Sequence, residues 1–228
     1  MSGQNDLSLG HFAKELKSDG FRNEFRTGWS IALLYRAPGV VAAWGAAHLG
    51  LTPFVVSLLA FVAALLMPFI ALWLPITLAP MCLMLAGVAF QILDCADGTL
   101  ARGTNTVTER GGDLDFLIDM AQWGLLYFAM GLLADRVLGG GWGWTALGAV
   151  AGWGRLLARV IRDRLDDGIK RAPKALRPVD YPVAFISGIL GLIPFLALSD
   201  QWLGVAVIAL VVYSVLDIID AALPLTKP

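Results

Sequence analysis

From Pro53 to Leu223 the sequence runs in long apolar stretches separated by short polar breaks. The stretches have the length that crosses a bilayer as a helix, and they lack the two-residue alternation of half-buried strands. Spans are predicted over about 53–74, from 76 into the aspartates near 94–97, from 111 to about 133, over 142–157, over 181–198 and over 202–223. Pro53 can open the first, because the first helical turn leaves its N–H groups unbonded, and Pro75 ends it. Polar residues at 103–110, the turn at Asp135, Arg136 and Gly139 to Gly141, and Ser199 to Gln201 supply later breaks. An amphipathic basic stretch, 155–178, separates the fourth span from the fifth. The pattern predicts an all-α integral membrane protein with six transmembrane helices in one helical domain, 53–223.

Ahead of these spans, residues 28–49 are apolar but interrupted by Arg36, Pro38 and His48 and dotted with Trp29, Tyr35 and Trp44. That mixture predicts an interfacial amphipathic helix lying along the membrane surface. Residues 1–27 are expected to form a solvated, weakly ordered cytoplasmic tail, without the basic-then-apolar build of a cleavable signal. Composition agrees: 57% of residues are hydrophobic and only 15% charged, against about 25% charged in a soluble protein. Cys82 and Cys95 are too sparse for a disulfide framework or a zinc site, and no nucleic-acid partner is expected.

The arrangement of charge says more than its sum of -1. With a cytoplasmic N-terminus, all but Arg136 of the 17 Lys and Arg fall on the cytoplasmic side of the six-span scheme. This fixes the expected orientation, with both termini on the cytoplasmic side of what is expected to be a bacterial inner membrane.

Four aspartates stand out in this background. Asp94 and Asp97 end the second span, Asp115 and Asp119 begin the third, and ionised carboxylates at membrane depth are costly unless neutralised. Spacings of i, i+3 and i, i+4 put each pair on one helix face, and the polar loop makes the two helices antiparallel neighbours. Hard oxygen donors of this kind suit Mg²⁺ or Mn²⁺, and two such ions would balance four carboxylates. Gly98, Ala101 and Gly111 remove bulk where a nucleotide or phosphate approaches the backbone, and Arg102 can meet a phosphate with its planar fork.

The run Asp94-x-x-Asp97-Gly98-x-x-Ala101-Arg102, eight residues, Gly111-x-x-x-Asp115-x-x-x-Asp119 resembles the signature of the CDP-alcohol phosphotransferases at every fixed position. The likeness extends to an interfacial helix, a Leu-Thr-Pro start at Leu51 to Pro53, and six spans. Where many relatives have Asn after that Pro, this chain has Phe54. The resemblance implies that Asp94, Asp97, Asp115 and Asp119 bind two divalent cations, with Asp119 also the general base. It implies attack of an acceptor hydroxyl on the phosphorus distal to cytidine, release of CMP, and a homodimer.

The expected activity is a metal-dependent transferase of phospholipid synthesis, moving a phosphatidyl group from CDP-diacylglycerol to a small polar alcohol. An aminoalcohol phosphotransferase with a lipid acceptor is the alternative; a membrane prenyltransferase and a non-enzymatic cation carrier are more remote. The basic run from Arg155 to Arg164 suits anionic lipid headgroups, and Arg155 and Arg159 are candidate contacts for a phosphorylated acceptor. Asp217 and Asp220 are expected to mark the interface, with pairing to those arginines as the alternative.

Overall fold

The computed structural model describes residues 7–18, 21, 28–166, 185–186 and 188–226, and these residues form helices and turns without a strand. The α-helices are α1 (Leu9–Phe12), α2 (Trp29–Leu34), α3 (Arg36–His48), α4 (Pro53–Trp73), α5 (Ala79–Gly103), α6 (Glu109–Leu138), α7 (Gly143–Asp166) and α8 (Leu203–Ala222). A 3₁₀ segment, Ala13–Lys17, continues α1, and a second, Gly188–Leu198, precedes α8.

The chain divides into two compact units. The first comprises Met1–Ala63, Val88–Ile118 and Ala175–Ile193. Its core is a cluster of Phe12, Val40, Ala43, Val56, Ala96 and Leu100, in which α1, α3 and the near ends of α4 and α5 bury their small faces. Small residues permit the approach: a Cβ on Gly39 of α3 would lie 2.6 Å from Cys95 Cβ on α5. Tyr35, at the break between α2 and α3, is 1% exposed and donates its hydroxyl to the Gly191 carbonyl at 2.5 Å. Burial above all, with a smaller contribution from the nearby Cys95 side chain, pushes that phenol up to about 12, so it remains a donor.

The second unit comprises Ala64–Gly87, Asp119–Lys174 and Pro194–Pro228. Here α6 and α7 approach backbone to backbone, since a Cβ at Gly148 would fall 2.5 Å from the Tyr127 carbonyl oxygen and one at Gly131 2.4 Å from that of Trp144. Asp135 caps α7 from a distance, accepting from the Thr145 amide at 2.7 Å and the Trp144 amide at 3.2 Å. Arg136 donates to the Ala71 and Leu74 carbonyls, which the end of α4 leaves unbonded.

The count of spans differs from expectation. Among the described residues four helices are long and apolar enough to cross a membrane: Pro53–Trp73, Ala79–Gly103, Glu109–Leu138 and Asp200–Leu225. The expected fourth span and the basic residues after it form one helix, α7, whose second half carries Arg155, Arg159, Arg162 and Arg164 and so dilutes its apolarity. Of the expected fifth span, 181–198, the described residues show helix at 185–186 and the 11-residue 3₁₀ segment Gly188–Leu198 with Pro194 inside it; residues 181–184 and 187 lie outside the described residues. The expected interfacial helix, 28–49, is two helices, α2 and α3, broken at Tyr35. The tail is not uniformly solvated either, since Phe12 is buried, while residues 1–6, 19–20 and 22–27 lie outside the described residues.

Candidate active site

Within the first unit, the ends of α4, α5 and α6 enclose a cavity of about 700 Å³. Its lining includes Asp97, Gly98, Ala101 and Arg102 from α5, and Gly111 and Asp115 from α6. Each is placed by simple local rules. α5 continues through Arg102 to Gly103, one turn further than the sequence reading, so Ala101 and Arg102 sit on the helix that carries Asp97. It ends where Asn105 takes a positive φ of 56° and the Thr106 amide bonds back to the Ala101 carbonyl at 2.8 Å. Thr108 then caps α6, accepting from the Gly111 amide at 3.1 Å.

The start of α6 therefore faces the cavity through Thr108, Arg110, Gly111 and Gly112. Amides of a first turn carry partial positive charge, so this wall attracts anions. Arg102 and Arg110 add full charges. The opposite sign comes from Asp97, 6% exposed, and half-buried Asp115. One Asp97 oxygen accepts from the Ser57 hydroxyl of α4 at 2.5 Å, and the other from the Gly98 amide at 2.5 Å. Ser57 and the capping residue Thr108 carry no signal in the motif, and Thr52 enters the resemblance only through the Leu-Thr-Pro start, although all three line the cavity. The available signal for Ser57 was its place, a lone hydroxyl inside an apolar span one turn from Pro53.

Asp94 lies one turn before Asp97 on α5, half-buried, and is not part of this lining. Asp119 lies one turn beyond Asp115 on α6, and within the second unit it lines a separate small pocket with Trp123, Arg155 and Arg159. Arg155 is 9% exposed, buried between the Trp123 and Tyr213 rings, each 5.8 Å from its guanidinium carbon. It pairs with buried Asp217. The same carboxylate accepts from Arg162 at 2.6 Å, and Arg162 also reaches Asp220 at 2.9 Å. Asp217 and Asp220 are thus partners of the arginines on α7, the alternative to the expectation that they mark the interface. Lys170, Arg171, Lys174 and Arg177, the rest of the basic stretch, lie outside the described residues.

Carboxylate oxygens on two helices opening on one cavity, with no thiolate or imidazole in its lining, are the donor set of a hard divalent cation. Among the described residues no group of three His, Cys, Asp or Glu side chains is gathered closely enough to hold one. Asp97 is turned toward Ser57 and Gly98.

A helical chain with four membrane-length segments and a cavity of carboxylates, arginines and a helix start belongs with membrane enzymes that handle anionic groups. The sequence model of the CDP-alcohol phosphatidyltransferase family matches residues 51–177, more than half of the chain. The chain belongs to that family, whose reaction is transfer from a CDP-alcohol to an alcohol. No curated protein matches the chain.

Proposed function

We propose that the protein moves a phosphatidyl group from CDP-diacylglycerol to the hydroxyl of a small polar alcohol and releases CMP. The carrying observation is the single cavity that joins Asp97, Asp115, Arg102 and the start of α6. Its charges alternate as a diphosphate and its counterions require: amides and guanidinium groups for phosphoryl oxygens, carboxylates for cations.

Asp94, Asp97, Asp115 and Asp119 would hold two Mg²⁺ or Mn²⁺ ions. Such ions, when bound, neutralise phosphoryl oxygens and assist departure of the leaving group. The chain's own residues do the rest. Arg102, and Arg110 at the positive start of α6, bind phosphoryl oxygens, while Gly98, Ala101 and Gly111 leave room for the nucleotide. Asp119 accepts the proton of the acceptor hydroxyl. The freed oxygen attacks the phosphorus distal to cytidine, a new P–O bond forms, and the bond to CMP breaks. A carboxylate held near cations is a weak base, so its contribution comes from being placed at the hydroxyl.

Arg155 and Arg159 beside Asp119 favour a polar acceptor. A lipid alcohol offers two arginines only a hydroxyl and ester carbonyls, whereas a phosphorylated small polyol offers an anion that pairs with them. In the six-span reading of the sequence Lys and Arg gather on one side, which favours a site that faces the cytoplasm.

Turnover of purified protein with CDP-diacylglycerol and a panel of small polyols and their phosphates, against CDP-choline or CDP-ethanolamine with diacylglycerol, tests this directly. Phosphatidyl products from the first set alone are expected. Phosphocholine or phosphoethanolamine transfer to diacylglycerol would reverse donor and acceptor.

A further inference from the structure

The N-terminal segment reaches the cavity wall through a chain of specific contacts. Ser8 caps α1 by accepting from the His11 amide at 3.2 Å. Phe12, 1% exposed, is anchored among Val40, Ala43, Ala96 and Leu100. It also lies against Gly103, where a Cβ would fall 2.3 Å from the ring. His11 donates Nε2–H to the Gly103 carbonyl at 3.0 Å, so both residues grip the end of α5.

This anchoring carries the following 3₁₀ turn to Arg102, whose Nε forms an ion pair with Glu15 Oε1 at 3.0 Å. The guanidinium then lies over Gly98, with Nη1 and Nη2 only 3.2 and 3.6 Å from where a Cβ would stand. Arg102 and Gly98 both line the cavity. A guanidinium has two edges that can bond oxygen pairs. Glu15 takes the Nε group and so fixes the plane, and the Nη groups are turned to the bare surface of Gly98.

We propose that Glu15 is a positioning residue for the donor: it holds Arg102 so that its Nη groups meet the diphosphate of the CDP-linked substrate. This rests on the donor class proposed above. Holding a long, half-exposed arginine in its binding geometry before substrate arrives lowers the entropy lost on binding. Glu15 itself touches no substrate, and it acts only through Arg102.

The test is the affinity of the full-length protein in detergent for CDP with Mg²⁺, measured for wild type, Glu15→Gln, Glu15→Asp, Arg102→Ala and the Glu15→Gln/Arg102→Ala pair. Glu15→Gln is expected to weaken binding about fivefold, the upper range for a partly exposed ion pair. Glu15→Asp is expected to recover most of this, and Glu15→Gln to add nothing once Arg102 is Ala. Unchanged or tighter binding by Glu15→Gln, or an equal loss in the Arg102→Ala background, would overturn the proposal while leaving the donor class standing. Wild-type protein that binds no CDP overturns the donor class and this inference with it.

Discussion

Ser57 of α4 donates its hydroxyl to the buried carboxylate of Asp97 on α5, 40 positions along the chain, and so ties the opening span to the acidic motif. Its hydroxyl also meets the Pro53 carbonyl at 3.1 Å, in keeping with a side chain wedged at the start of a helix. Groups that orient a ligating carboxylate matter nearly as much as the carboxylate. Ser57→Ala is therefore expected to lower the apparent affinity for Mg²⁺ by about tenfold. Metal titration of CMP release checks it; an unchanged midpoint would make the contact structural only.

The ion-pair cluster on α7 and α8 yields a contrast within three residues. Asp217, 7% exposed at its side chain, is shared by Arg155 and Arg162, whereas Asp220 is 48% exposed. Removing the buried partner strands a buried guanidinium, so Asp217→Asn is expected to destabilise the protein by about 3 kcal/mol. Asp220→Asn should cost no more than about 0.5 kcal/mol. Thermal unfolding in detergent reads both, and similar shifts for the two would contradict the burial seen here.

Helix approach supplies a third prediction. At Gly39 an added methyl would press on Cys95 and on the Ile92 carbonyl, at 2.6 and 3.3 Å, beside the acidic motif. Gly39→Ala should cost about 1–3 kcal/mol and reduce turnover, since α5 must shift where it carries Asp94 and Asp97. Gly45 on the same helix meets nothing within 4 Å, so Gly45→Ala should be neutral or slightly stabilising. Unfolding curves and turnover of the two proteins decide the matter.

What the sequence revealed follows from the range of the interactions concerned. α4 was legible to within one residue at each end, because Pro53 and Pro75 and the apolar run between them are local signals. The motif from Asp94 to Asp119 was legible because fixed spacing on two helices survives as a pattern in the chain. Ser57 and Glu15 were not, since each acts through a partner 40 or 87 positions away whose identity no local rule indicates; for Asp217, 62 positions from Arg155, pairing with the arginines was one of two readings. The length of α7 was missed for a related reason. Its arginines read as an amphipathic stretch beyond the span, and only Asp217 and Asp220 on α8, which neutralise two of them, show why the helix runs on. Among the described residues, Gly188–Leu198 has the composition of a span but forms a 3₁₀ helix with Pro194 inside it, which composition alone does not indicate.

The most direct measurement is CMP release by the purified protein from CDP-diacylglycerol and its accepted alcohol, with and without Mg²⁺, for wild type and Asp119→Asn. Metal-dependent release is predicted for wild type, abolished by a chelator and restored by added Mg²⁺. Asp119→Asn should lower kcat by about a thousandfold or more while the protein still binds CDP. Wild-type turnover that persists without divalent cations, or an Asp119→Asn protein that turns over at the wild-type rate, would contradict the account.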